Sequence, residues 1–427
     1  MTFGPITPRR ARQLWYAPIL GLATALMMLR LLALARILDV PGFAQLSAAL
    51  LVSSTFSMLG CIGLQSLLQR DMPIMFVRGR ERAARVLLAQ SVLAACGSAA
   101  CAMLVALFVP LDFGSPANLV ALGIVHGLSQ QLFLVASVES RSRGEPLRFA
   151  FQSLVRSIVV ICVGLGVGVA TKSASGVVAA EAAVSLVLAF AMLLQTMAGR
   201  DPGTSATLKI AADRWRRIDW RAAWVMLLVS LLAFALTYAD RWCAATVLPA
   251  RDFANYAFAG IVLAIALSAQ GLVNASVYPL LARLYAREGQ AACYALCAKL
   301  SWGALAGALL LALPAYWVLD AGLRRFYPAY DVALTLLPAF LLVAAFRVSD
   351  FWSSFMMITG SQDKLLKVSL LSGAAAAALW AIVAQPWASS GGTPMQFAML
   401  AVLLAVGGYV AIVFASRASL RMRGSFE

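Results

Sequence analysis

Arg30, Glu181, Asp240, Arg241, Arg347 and Asp350 stand inside long apolar runs of this 427-residue chain. A charged side chain at the centre of a membrane helix costs about 2.5–3.5 kcal/mol on insertion scales, so each must meet protein or water and find a partner. Helical spacing sorts them onto faces. Arg241 shares a face with Ser230 and Thr237, and Arg347 with Asp350 and Ser354. Glu181 lies above Ser185, His126 aligns with Gln130 and Ser137, and Gln270 aligns with Asn274. Guanidinium groups match phosphate oxygens in a bidentate fashion, and an intramembrane carboxylate can carry a coupling ion. Arg30, Arg241, Arg347, Thr237, Gln270 and Asn274 are therefore the candidate substrate-binding residues. Asp240, Glu181 and Asp350 are the candidates for ion coupling or gating. Bland alternatives stand beside these: a static Arg347–Asp350 pair, an Arg241 snorkelling to headgroups, a His126 that only packs. No residue pattern points to catalysis, to a metal site or to a cofactor.

The elements that carry these residues are twelve apolar runs, at 15–37, 43–67, 86–109, 117–138, 151–170, 175–197, 222–246, 253–275, 299–319, 331–357, 368–385 and 397–416. About 20 residues cross the hydrocarbon core as one helix, and unpaired backbone amides are excluded there. The expected fold is an all-α polytopic membrane protein. With 62% hydrophobic and 12% charged residues, the chain has too little polar surface for a soluble domain. The net charge of +16 comes mostly from Lys and Arg in both termini and the even-numbered connections. Under the positive-inside rule both termini are cytoplasmic, and the charge reports topology rather than nucleic-acid binding. The first run, preceded by Arg9, Arg10 and Arg12, reads as a retained signal anchor. The seven cysteines contain no C-x-x-C pair and read as small packing residues.

The longest polar connection, 199–221, falls at the middle of the chain and separates a six-helix bundle at 1–198 from another at 222–427. Placing Leu38, Phe43 and Ala44 on Leu248, Phe253 and Ala254 superimposes the first two runs on the seventh and eighth. An even number of helices per copy makes the two copies parallel repeats, expected to enclose a central cavity that opens alternately to either side. Arg30 then coincides with Asp240, and an Arg30–Asp240 pair linking the halves is expected. No G-x-x-x-x-G-K-[ST] loop is present. A major-facilitator carrier would show its G-x-x-x-D-R-x-G-R-R signature after the second run, and Arg70 to Arg85 does not fit it. A membrane glycosyltransferase or ligase would need an outer carboxylate constellation, whereas Asp39 and Asp112 stand in separate turns.

Asp240-Arg241, Asn255-Tyr256 and Val277-Tyr278-Pro279-Leu280-Leu281-Ala282 resemble the seventh and eighth helices of polysaccharide flippases. Arg36, Pro41-Gly42-Phe43-Ala44, Gly63-Leu64-Gln65 with Arg70, Phe326 to Tyr330, and Thr359-Gly360-Ser361 are similar too. The resemblance is to the Wzx-type polysaccharide transporter branch of the multidrug/oligosaccharidyl-lipid/polysaccharide exporter superfamily. It implies a transporter of the bacterial inner membrane, not an enzyme, that carries a lipid-linked oligosaccharide on a polyprenyl pyrophosphate to the outer leaflet for cell-surface polysaccharide. It also implies contact with membrane lipids, with a polysaccharide polymerase and export machinery as candidate partners and a proton or sodium ion as candidate coupling ion. A small-molecule antiporter of the same superfamily is the nearest alternative. Twelve spans rather than fourteen sets the chain apart from the lipid II flippase branch.

Overall fold

Leucine, alanine and valine dominate every run, and these side chains leave the helix as the one backbone solution in hydrocarbon. A computed structural model describes residues 15–108, 117–197, 203–384 and 392–423, all of them helix or short connection. Asp112 lies outside the described residues. In chain order the helices are α1 (Tyr16–Ile37), α2 (Val40–Leu59), α3 (Leu64–Val77), α4 (Glu81–Phe108), α5 (Ala117–Ser142), α6 (Pro146–Thr171) and α7 (Ala174–Met197). They continue as α8 (Thr204–Asp213), α9 (Trp220–Val247), α10 (Ala250–Ala259) and α11 (Ile261–Phe326). The last four are α12 (Asp331–Val348), α13 (Trp352–Ile358), α14 (Gln362–Ala384) and α15 (Pro394–Arg423). Among the described residues twelve helical segments are long and apolar enough to cross a membrane, as the sequence predicts.

Burial is inverted relative to a water-soluble protein. Leu310, Leu313, Val318, Leu107 and Phe108 are more than half exposed, while Arg30, Glu181, His126 and Asp240 are buried. Lipid is the solvent for which such a surface is stable. The protein is a multi-pass membrane protein.

The chain divides into two compact units at Leu231/Leu232, within α9. In the first unit α1 packs on α6, α2 on α5, and α5 on α7. In the second, α11 packs on α12, α14 on α15, and α12 on α15. The positions matched between the repeats are buried in each: Phe43, Ala44 and Leu46 in the first unit, Phe253, Ala254 and Tyr256 in the second.

Three spans depart from single straight helices. The run at 43–67 is two helices, because Ile62 (φ 49°) and Gly63 (φ 80°) turn left-handed between α2 and α3. The freed groups are met from α4: Ser98 Oγ donates to Gly60 O, and Cys61 Sγ donates to Ser91 O at 3.4 Å. A Cβ on Gly63 would also overlap the carbonyl of Ala223 in α9. The run at 331–357 breaks at Ser349–Phe351, where the Asp350 carboxylate accepts from Ser353 N (3.1 Å) and Ser353 Oγ (2.7 Å) and so starts α13. Finally, α11 has 66 residues, which as one rod would be about 100 Å long. Gly289 (φ 84°) splits it into the eighth and ninth spans.

The central connection is partly built. Helix α8 lies on the first unit through Thr207 and Ala211, both buried, with Gln90 Nε2 of α4 donating to Ala211 O at 3.2 Å. Trp215 and Trp220 follow with ring centroids 5.3 Å apart. Cys61, Cys293 and Cys297 pack inside, whereas Cys96, Cys101 and Cys162 are exposed on the apolar surface, and all seven cysteines are free thiols.

Candidate functional site: a polar network in each unit

Five spans of the first unit deliver one buried polar chain. Arg30 of α1 donates through Nη1 to Glu181 Oε2 of α7 at 2.5 Å. His126 Nε2 of α5 lies 3.7 Å from the same carboxylate oxygen. Ser53 Oγ of α2 is 2.7 Å from His126 Nδ1, and Gln130 Nε2 is 3.3 Å from His126 Nε2. The Gln130 amide oxygen then accepts from Arg156 Nη2 of α6, whose guanidinium lies over the Phe133 ring at 4.5 Å. Room for the carboxylate is made by Gly164, where a Cβ would come within 2.5 Å of Glu181 Oε1. Two guanidinium groups therefore join one network, Arg30 at the carboxylate and Arg156 at the Gln130 amide. Arg30 Nε, Arg156 Nε, Glu181 Oε1 and Ser185 Oγ remain buried with no partner among the described residues.

Arg30 and Asp240, expected to pair, each have a partner of their own. Arg30 is held by Glu181, and Asp240 accepts from the hydroxyl of Tyr256, each within its own unit. Repeat symmetry aligns the two positions, but each side chain is partnered on a neighbouring helix of its own unit. The His126–Gln130 stripe carries the network. Arg156 escapes sequence reasoning because it stands near the start of the fifth apolar run, where an arginine reads as interfacial. Helix α6 begins earlier, at Pro146, which sets Arg156 about 15 Å along it.

In the second unit the same kinds of side chain are arranged differently. Asp240 and Tyr256 are both buried, and the tyrosine ring packs edge-on against Phe340. Arg241 donates through Nη2 to Gly260 O at 3.1 Å, with its guanidinium 5.0 Å from the Tyr238 ring centroid. It reaches the α10–α11 junction instead of extending to headgroups. Arg347 Nη2 donates to Leu236 O of α9 at 2.7 Å. Arg347 and Asp350 form no ion pair, since Asp350 is turned onto Ser353. Arg241 Nε and Arg347 Nε are buried without partners among the described residues. Gln270 donates to the Asp350 carbonyl at 3.2 Å, and Asn274 Oδ1 accepts from Ser354 Oγ at 2.9 Å, so the α11 stripe braces the break in the tenth span. Thr237 is half-buried and donates to Ala233 O of its own helix.

No protein-family model and no curated protein sequence matches the chain. Solved structures do match along nearly its whole length. Lipid II flippase MurJ in an inward closed conformation aligns with a TM-score of 0.65 at 12% identity, over 95% of this chain and 87% of that one. An inward-facing multidrug resistance MATE family transporter of the MOP superfamily gives 0.62 at 12% identity, over 96% and 94%. The Vibrio cholerae MATE transporter VcmN, as a point variant, gives 0.61 at 12% identity, over 96% and 97%. The chain thus has the all-α fold of these transporters and this flippase, with twelve candidate spans among its own described residues.

Proposed function

We propose that the protein is a transporter that moves a polyprenyl-pyrophosphate-linked oligosaccharide across the bacterial cytoplasmic membrane by alternating access. One observation carries this reading. Four arginines in the spans, Arg30, Arg156, Arg241 and Arg347, each keep a buried Nε–H without a partner among the described residues, which is donor capacity that a diphosphate can fill. A diphosphate bearing sugars cannot cross hydrocarbon unaided, because every charge and hydroxyl would lose its water. Guanidinium donors on helices replace that water, and the isoprenoid tail stays in lipid. The fold shared with a lipid II flippase supports a lipid-borne substrate.

Export of organic cations, which the shared MATE fold brings to mind, calls for a carboxylate open to the ligand. Here Glu181 is held by Arg30, Asp240 by Tyr256 and Asp350 by Ser353. A ligase would need outer carboxylates, and Asp39 is spent on capping α2, accepting from Gly42 N at 2.9 Å.

The test is leaflet exchange in proteoliposomes containing a fluorescent polyprenyl-diphosphate oligosaccharide, read by the fraction quenched from outside. Wild type should accelerate exchange over protein-free vesicles, and Arg156→Gln should reduce the rate about tenfold or more, the loss of one charge-assisted hydrogen bond or two. Exchange no faster than in empty vesicles would overturn the proposal, as would a chemically altered lipid product.

A further inference from the structure

Below the left-handed turn of the second span, the first unit holds a cavity of about 180 Å³ whose lining differs from the arginine network. Ser57, Gln65, Ser66, Gln69 and Ser230 supply its polar wall, and Met58, Cys61, Leu134 and Leu227 the rest. No charged group lines it. Its position follows from the break at Gly63: α3 sets off in a new direction there and leaves Gln65, Ser66 and Gln69 facing α9. Ser230 stands ten residues into α9, about 15 Å from its start at Trp220. With the cytoplasmic termini expected from the charges, this is the inner half of the span.

Ser57 Oγ donates to Ser54 O at 2.9 Å, and the other polar side chains keep capacity to spare. Gln65 is aimed by Gln131, whose Nε2 donates to Gln65 Oε1 at 2.8 Å, which leaves the Gln65 amide N–H groups free to donate. Ser66, Gln69 and Ser230 make no hydrogen bond to any described residue. Hydroxyl and amide groups placed on an apolar wall, without charge, match a sugar ring. Its hydroxyls both donate and accept, and its C–H face needs apolar contact such as Leu134 and Leu227 provide. The volume has room for one six-membered ring.

We infer that this cavity is a neutral saccharide subsite, which holds one sugar residue of the lipid-linked substrate on the cytoplasmic side while the guanidinium groups serve the diphosphate. The inference rests on the transport reading above and adds to it the part of the protein that recognises the glycan. It separates the two halves of the substrate's headgroup by chemistry: charge to the arginines, hydroxyls to the serine and glutamine wall.

The experiment compares two fluorescent probes, a polyprenyl diphosphate carrying a disaccharide and the same lipid diphosphate without sugar, binding to purified full-length protein. Ser66→Leu and Ser230→Leu fill the cavity. Ser66→Ala and Ser230→Ala remove the hydroxyls at almost constant volume and keep the fold. Expected are a Kd for the glycosylated probe raised about tenfold in the filled variants and about threefold in the stripped ones, each hydroxyl counting for one modest hydrogen bond. The bare lipid diphosphate should bind all variants as it binds wild type. Equal affinity of wild type and variants for the glycosylated probe overturns the subsite and leaves the transport reading intact. An equal loss for both probes also overturns it, because the cavity would then matter only for structure. If wild type binds neither probe, the transport reading falls together with it.

Discussion

The Arg30–Glu181 contact is the most consequential single pairing in the first unit. A buried ion pair contributes little net stability, yet removing one partner is costly because a charge is left unpaired in a poor solvent. Glu181→Gln should therefore lower stability by about 3–5 kcal/mol, seen as an early loss of the monodisperse peak when detergent-solubilised protein is heated. The double variant Arg30→Met with Glu181→Leu should regain most of that loss and still fail to transport. A Glu181→Gln protein as heat-resistant as wild type would show that the pair is not formed. The residues of this pair were legible in the sequence, since both are charges in apolar runs. Their partnership was not, because they lie 151 positions apart and helical periodicity gives the face a residue occupies, never the helix it will meet. Repeat symmetry suggested Asp240 instead. The tyrosine that Asp240 actually binds sits in the next span, at a position the periodicity marks only as buried.

At the scale of elements, the spans could be read from length and composition and their interruptions could not. Glycine and serine are common in membrane helices, so Gly63 and Ser349 carry no special mark in the sequence. What distinguishes Gly63 is its surroundings: a positive φ together with the Ala223 carbonyl pressed against its Cα. Gly63→Ala would suffer on both counts, and strain of this kind costs about 1–3 kcal/mol from the torsion alone. The variant should express poorly or melt early, whereas Gly97→Ala, in open space on α4, should behave as wild type or better. Equal melting of the two would remove the close approach of the α2–α3 turn to α9 from the account. The same turn lines the neutral cavity, so a backbone feature invisible in the sequence positions the side chains of the proposed saccharide subsite.

For the whole molecule, the sequence places a boundary at the polar stretch 199–221, while compactness divides the chain at Leu231/Leu232. Composition registers where the chain leaves the membrane, and packing registers which helices adhere to which. Helix α8 shows the difference. By sequence it lies in a polar connection expected on the cytoplasmic side, yet it is fastened to α4 by the Gln90–Ala211 hydrogen bond. Helix α8 is therefore freight belonging to the first half. A gene cut into two pieces should tolerate scission at one point better than at another. Fragments 1–213 and 214–427 keep α8 with the surface it rests on; fragments 1–198 and 199–427 hand it to the wrong owner. Co-expressed and purified through a tag on the second fragment, the former pair should co-elute in higher yield, and a reversed order would mean that α8 is dispensable to its host.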